Sequence, residues 1–289
     1  MRTSQLLLGI LFILCAELSF VLLSALIKVL SDDVSLIQII FFRNLFALLP
    51  LLPWLIKHKQ QAVTTSKLSL HLMRGITGVT AMFIYFYILS NSSLINGAMV
   101  LMLAPFFIPL IAFYWLRQPQ SLYTILAISI GFFGVFICLN TTQAQTTPLS
   151  LMQMGLILFG ALCVAISKAS ISKMTTTEPS QRIVFYFSTI SLIVSAILLP
   201  FDWQPLNLMA LGLLVILGVG ATAAQILMTK AFTLAGATTI GLFSYSSILF
   251  AALVGAIFWN NIPEYEWFIG ASIIIVSGII ATIFAPRRK

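Results

Sequence analysis

The side chains best suited to chemistry in this sequence are the few charged groups that stand inside long apolar stretches. Glu17 is the only acidic residue well inside such a stretch. A carboxylate left in hydrocarbon costs a few kcal/mol or more, so it normally faces a water-filled cavity or a partner. Glu17 is therefore a candidate proton acceptor, or a counter-ion for a cationic part of a ligand. The alternative is a structural pair with a buried Lys or Arg.

Arg43 is the second candidate, inside the next apolar stretch and without an acidic neighbour in sequence. Its guanidinium group is suited to hold a carboxylate or phosphate through two parallel hydrogen bonds. It is equally suited to pair with Glu17 as scaffold, and the sequence leaves both interpretations open.

A further set of candidates consists of uncharged polar side chains that stand within apolar stretches: Gln225, Tyr85, Tyr245 and Asn96. A glutamine in mid-span needs hydrogen-bond partners, which either a cavity or a neighbouring helix can supply. Tyr85 can stack on a flat or cationic ligand. Tyr245 belongs to a Ser/Tyr cluster whose hydroxyl groups suit a polar ligand, and helix packing through small residues is the alternative.

Two prolines and two lysines have positional roles. Pro105 and Pro109 remove backbone donors and kink a helix, which suits a bending gate.

Lys168 and Lys230 lie about one turn inside the ends of their stretches. Both can snorkel to the membrane interface without any function, and we favour that interpretation over a functional role.

Composition requires that lipid surrounds most of this chain. It is 60% hydrophobic and 8% charged, with a mean hydropathy of +1.09, whereas soluble proteins carry about a quarter charged residues. The net charge is +8, but the basic residues cluster between apolar stretches and at the chain ends. That placement is typical of membrane-protein loops and argues against a nucleic-acid partner.

A membrane-spanning helix needs about 20 apolar residues, and ten such segments fit the chain. They are 5–30, 35–56, 69–90, 93–115, 121–139, 151–172, 182–200, 207–232, 237–259 and 265–285. The sequence therefore predicts an all-α polytopic membrane protein with ten transmembrane helices.

The two halves of the chain look duplicated. The stretch from Gly97 to Gly134 recurs from Gly241 to Gly278, 144 positions later, and Trp115 returns as Trp259 at the same offset. We predict a first repeat at 1–139, a linker at 140–150 and a second repeat at 151–289. Internal repeats of this kind point to a transporter.

The distribution of Lys and Arg predicts the orientation. With the N-terminus in the cytoplasm, nearly all basic residues, Arg74 among them, fall at or near the cytoplasmic side. Asp32, Asp202 and Glu264 fall on the other side. Five helices per half then give inverted repeats with both termini cytoplasmic.

Local motifs add a resemblance to a known family. Lys28 closes the first span, FFRN stands at Phe41 to Asn44, and Arg74-Gly75 opens the third span. With the duplication, these resemble the drug/metabolite transporter superfamily in its EamA-type, ten-helix form. The resemblance implies a bacterial inner-membrane secondary carrier of a small organic molecule, with a central cavity and alternating access. The motifs look most like the branch that includes S-adenosylmethionine uptake carriers.

One departure from that family is visible. Members often carry a Glu two residues before the Pro that starts the fifth and tenth spans, and Arg117 and Asn261 stand there instead. No role of that Glu is carried over to this chain.

We therefore expect a secondary transporter of a metabolite or drug, coupled to protons or working as an exchanger. A membrane-embedded accessory scaffold for lipid or drug export, and a channel, are the alternatives. No phosphate-binding loop or metal-ligand cluster is present in the sequence, so we expect no enzyme activity, cofactor or metal. The expected partners are a small organic solute and membrane lipids, with the protein a monomer or homodimer.

Overall fold

A computed structural model describes residues 3–91, 100–117, 121–140, 150–260 and 264–283. Every regular element in these residues is a helix, which confirms the predicted all-α class. In chain order the α-helices are α1 (Thr3–Leu30), α2 (Leu36–Ala47), α3 (Leu52–His58), α4 (Gln60–Val63), α5 (Leu68–Asn91), α6 (Ala104–Tyr114), α7 (Leu122–Asn140), α8 (Leu151–Met174), α9 (Ser180–Leu198), α10 (Leu208–Leu234), α11 (Ala237–Phe243), α12 (Ser246–Trp259) and α13 (Tyr265–Ile283).

Seven helical segments of the described residues are long and apolar enough to cross a membrane. Three shorter apolar helices accompany them, at Val100–Tyr114, Leu122–Cys138 and Tyr265–Ile280. Large apolar side chains lie on the outside, with Ile56 72% and Ile197 66% exposed. An outer surface of this kind is suited to lipid rather than water, because contact of apolar side chains with hydrocarbon has no free-energy cost, whereas contact with water does.

Local sequence signals set where several helices begin and end. α2 starts at Leu36 because the Ser35 hydroxyl accepts from the Gln38 N–H, while the Gln38 side chain bonds back to the Ser35 N–H. Ser150 forms the same capping box with Gln153 at the start of α8. A 3₁₀ turn at Leu49–Leu51 links α2 to α3, so the stretch 35–56 is a jointed span.

Helix packing follows a pattern that is unchanged when the two halves of the chain are exchanged. Exchange of the halves replaces α1 by α8, α2 by α9, α5 by α10 and α6 by α12. The contact of α1 with α10 then corresponds to that of α8 with α5, and the contact of α2 with α10 to that of α9 with α5. The contact of α6 with α8 corresponds to that of α12 with α1. The pairs α2 with α9 and α7 with α13 map onto themselves. The helices α1, α2, α5, α8, α9 and α10 thus surround the centre, while α7 and α13 pair at one side.

Glycines allow the closest helix contacts in both halves. A side chain at Gly75 of α5 would collide with Ile190 of α9, and one at Gly218 of α10 would collide with Phe46 of α2. Small residues let helices approach closely where no hydrophobic effect drives them together. The centre of the protein is therefore enclosed by tightly packed helices from both halves.

Candidate functional site

A cavity of about 160 Å³ lies among the central helices, with room for several water molecules. Much of its lining is apolar, with Phe20, Leu23 and Phe86 among the residues. Its charged and polar lining residues are Glu17, Ser24, Arg43, Arg74, Tyr85, Ser167, Lys168, Gln225, Ser244 and Ser247. Four of the six side chains predicted from sequence to bind substrate or couple transport are in this set.

Glu17 faces Lys168 across the cavity. Their Oε1 and Nζ atoms are 3.5 Å apart, and both side chains are buried. The lysine also donates a 2.7 Å hydrogen bond to the Ser244 hydroxyl. A charge-assisted bond is normally about 2.7–2.9 Å long, so the ion pair is loose and the bond to Ser244 is the tighter of the two.

The prediction that Lys168 only snorkels to the interface is wrong. Only 9% of the residue is exposed, because α8 turns this side chain toward the centre. Its depth along the helix was a poor guide, since depth does not say which face of the helix a residue occupies. Lys230, by contrast, is exposed.

Arg43 does not pair with Glu17. Its Nη1 atom donates to Oδ1 of Asn44 at 3.3 Å and contacts Sδ of Met82 at 3.2 Å. The guanidinium group is buried at the cavity wall. Its partners among the described residues are neutral, so they orient the positive charge without neutralising it.

Arg74 is a cavity residue that the sequence did not identify as a site candidate. The sequence placed it at or near the cytoplasmic side, which stays a prediction; only 4% of it is exposed, and it lines the cavity. Nη2 donates to Oε1 of Gln225 at 3.0 Å, and the guanidinium carbon lies 3.8 Å from the centre of the Phe187 ring.

Gly78 explains why Arg74 can lie inward. A Cβ atom at this position would collide with Nη1 of Arg74 and with the Phe187 ring. The glycine stands four residues after the arginine, on the same face of α5. A glycine four residues after an arginine is therefore the sequence signal that could have placed Arg74 at the cavity.

The remaining predicted polar candidates have different surroundings. Gln225 holds Arg74, as described, and the Tyr85 hydroxyl donates to Oγ of Ser24 at 3.0 Å. Tyr245 is buried in a second apolar cluster with Trp267 and Ile274, away from the cavity lining. Asn96 lies outside the described residues.

Pro105 and Pro109 both lie in α6. Pro105 stands in the first turn and Pro109 inside the helix. A bend at Leu103 precedes them, where the Phe106 N–H bonds to the Leu103 carbonyl with 3₁₀ spacing. The bend fits the absence of a donor at proline. Their role as a gate stays a prediction.

A second interruption, without proline, separates α11 from α12. The N–H groups of Ser244 and Tyr245 bond to the carbonyls of Gly241 and Leu242, again with 3₁₀ spacing. The hydroxyls of Ser246 and Ser247 bond to backbone carbonyls three residues earlier. Serine hydroxyls can replace helical hydrogen bonds in this way, and the break brings Ser244 to Lys168.

At one end of the bundle, α2 is tied to the segment between α9 and α10. The Ser35 hydroxyl donates to the Asp202 carbonyl at 2.8 Å, and the Gln38 amide donates to the Gln204 carbonyl at 2.7 Å. We call this group the Gln38 latch.

A matching contact lies at the other end, where α9 is tied to the segment between α3 and α5. Arg182 donates to the carbonyls of Ala62, at 2.9 Å, and Gln61, and pairs with Glu178 at 2.6 Å. Gln38 and Arg182 are 144 positions apart, the offset of the sequence repeat. We call this group the Arg182 latch; the two latches sit at opposite ends of the span formed by α2 and α3.

In the described part of the chain, no three His, Cys, Asp or Glu side chains come together in a way that could hold a metal ion.

Comparison with known proteins shows which family and which relatives this chain is similar to. The sequence profile of the EamA-like transporter family matches residues 7–140 and again residues 151–283. The chain is 26% identical to the pseudopaline exporter CntI of Pseudomonas aeruginosa, over 94% of either chain. It is 24% identical to the S-adenosylmethionine uptake transporter of Rickettsia bellii, over 90% of this chain and 88% of the relative.

Two further proteins are also similar to nearly the whole chain. The riboflavin transporter of Vibrio cholerae is 26% identical, over 97% of this chain and 95% of its own. One crystal structure matches 99% of this chain and 98% of its own with a TM-score of 0.79 at 15% identity, which shows the fold alone.

Proposed function

Because this chain belongs to the EamA-like transporter family, we propose that it is a secondary active transporter of a small organic metabolite in the bacterial inner membrane. The cavity carries the proposal, because it holds a carboxylate and three cationic side chains at the centre of the bundle. Ionisable groups at such depth are costly and mark solute or proton pathways. The similar proteins named above are transporters, and the general activity of this chain is transport.

The mechanism we propose is alternating access between two inverted five-helix repeats, residues 1–139 and 151–289. Three observations support it: the family profile matches each half, helix contacts survive exchange of the halves, and the latches stand one repeat offset apart. Rocking of one repeat against the other would open one latch while the other stays closed. The basic residues favour a cytoplasmic position for both termini.

Flux through the purified protein tests the function. Liposomes containing only this protein, filled with a bacterial metabolite extract, are expected to exchange at least one solute with saturation and with counterflow stimulation. A proton gradient should change its rate if coupling is to protons. Absence of flux for every metabolite would favour the accessory scaffold, and flux without saturation would favour a channel.

The latches predict opposite shifts in access. Arg182→Ala removes the side-chain bonds to the 59–67 segment, which a charged donor makes worth about 1.5–3 kcal/mol each, and should favour the state open at that end. Gln38→Ala should favour the state open at the other end. We expect labelling of a cysteine introduced at Ser167, in the cavity, to rise severalfold from one membrane side in each variant.

The measurement uses a membrane-impermeant maleimide on right-side-out and inside-out vesicles. Each variant serves as the matched control of the other. Labelling that rises from the same membrane side in both variants would contradict the latch assignment. Labelling that rises in neither variant would contradict it as well.

A further inference from the structure

We propose that the solute is an organic dianion, a dicarboxylate or a phosphate monoester, held between Arg43 and Arg74. This inference rests on the proposed transport function and narrows it to a substrate class. It is carried by the placement, the burial and the partners of the two guanidinium groups.

Two different helices bring the two positive charges to one cavity. Arg43 comes from α2 and Arg74 from α5, and both line the same space. Their exposures are 8% and 4%, and their charges repel each other. Two like charges brought together in this way favour a ligand of the opposite sign.

The protein itself supplies no anion for them. Of the seven acidic side chains in the sequence, Glu17 alone lines the cavity, and its salt bridge is with Lys168. The other six stand away from the lining: Asp32, Asp33, Glu178, Asp202, Glu264 and Glu266. Cationic groups therefore exceed carboxylates by two at the cavity wall.

The contacts of the two arginines hold their orientation and leave donors free for a ligand. Asn44, Met82 and Gln225 offer neutral oxygen or sulfur atoms, and Phe187 offers its ring face. The Nε atom of Arg74 has no hydrogen-bond partner among the residues that the structure describes. A guanidinium group presents five donors in a planar fork that matches carboxylate and phosphate oxygens.

An uncompensated buried charge costs several kcal/mol. An entering dianion would remove that cost at both arginines, whereas a cationic solute would add to the repulsion. The apolar wall, with Phe20 and Phe86, would contact the carbon skeleton of the solute. The charge and the lining together select an organic anion rather than an inorganic one.

Fractionation of the metabolite extract by charge tests the proposal. The extract is separated on an anion exchanger, and each fraction is loaded into liposomes containing the wild-type protein. We expect flux from the retained, anionic fraction. Flux only from the neutral or cationic fractions would overturn the dianion site and leave transport intact, while absence of flux from every fraction would overturn the proposed function itself.

Phosphatase treatment of the anionic fraction separates the two chemistries. Flux that survives the treatment excludes a phosphate monoester and leaves the dicarboxylate, and flux that disappears identifies a phosphate monoester.

Substitutions then connect the flux to the two arginines. Arg43→Gln and Arg74→Gln are each expected to lower anion flux at least tenfold, and Arg43→Lys to recover only part of it. The exposed Arg117→Gln is the control and should keep wild-type flux. Because each glutamine removes an uncompensated charge, the unfolding temperature of the empty protein should stay unchanged or rise. Wild-type flux in both variants, or loss of flux only through unfolding, would overturn the proposal.

Discussion

Glu17→Gln is expected to stop transport and to destabilise the protein, and removal of the Lys168 charge in addition is expected to restore stability but not transport. The single change leaves Lys168 buried and without a carboxylate 3.5 Å away. Loss of one partner from a buried pair typically costs about 3–5 kcal/mol. The remaining 2.7 Å bond is to the neutral hydroxyl of Ser244, which does not compensate the lysine charge.

The double variant Glu17→Gln, Lys168→Gln separates a working carboxylate from a scaffold pair. Both proteins are measured for thermal unfolding in lipid nanodiscs and for solute flux with and without a proton gradient. Recovery of both stability and gradient-driven flux in the double variant would make the pair structural. Wild-type flux in Glu17→Gln alone would remove Glu17 from the mechanism.

Gly218→Ala is expected to loosen the packing of α2 against α10 and to lower both stability and flux. The added Cβ would stand 2.5 Å from Cβ of Phe46 and 2.8 Å from the Arg43 carbonyl oxygen. Backbone atoms cannot turn aside as a flexible side chain can. The Thr222 hydroxyl also ties the Ala47 carbonyl to α10 at 2.5 Å, so α2 resists a shift.

Overpacking of this kind costs about 1–3 kcal/mol, and any shift of α2 carries Arg43 away from the cavity. Gly212→Ala is the matched control on the same helix, because a Cβ there meets nothing within 4 Å. We expect that variant to be neutral or to gain up to about 1 kcal/mol of helix propensity. Thermal unfolding in nanodiscs and flux measure both. Equal stability of the two variants would show that the close approach at Gly218 is unimportant.

The general architecture was readable from the sequence because it depends on hydropathy and on length. Apolar stretches of about 20 residues and short polar connections determine a helical membrane protein. The cost of a carboxylate in hydrocarbon made Glu17 a candidate site residue; it lines the cavity, and its role in transport stays a prediction. The FFRN and Arg-Gly motifs, with the repeat, were enough to identify the family.

The partners of the charged side chains were decided by the tertiary structure. These helices are apolar on nearly every side, so hydropathy reports how deep a residue lies and gives little sign of the face it occupies. For that reason the sequence left Arg43 as a possible partner of Glu17, assigned Lys168 to the interface and did not identify Arg74 as a cavity residue.

The sequence by itself determined the lipid surroundings, the helical class and the family of this protein, while the inverted repeat stays a prediction. Only the tertiary structure placed α1 and α8 on facing sides of the cavity, where Glu17 meets Lys168, and left at Gly78 the space that Arg74 occupies. The physical reason is that hydrophobic burial in lipid acts on each helix alone, whereas charge pairing requires two helices to present particular faces to one another.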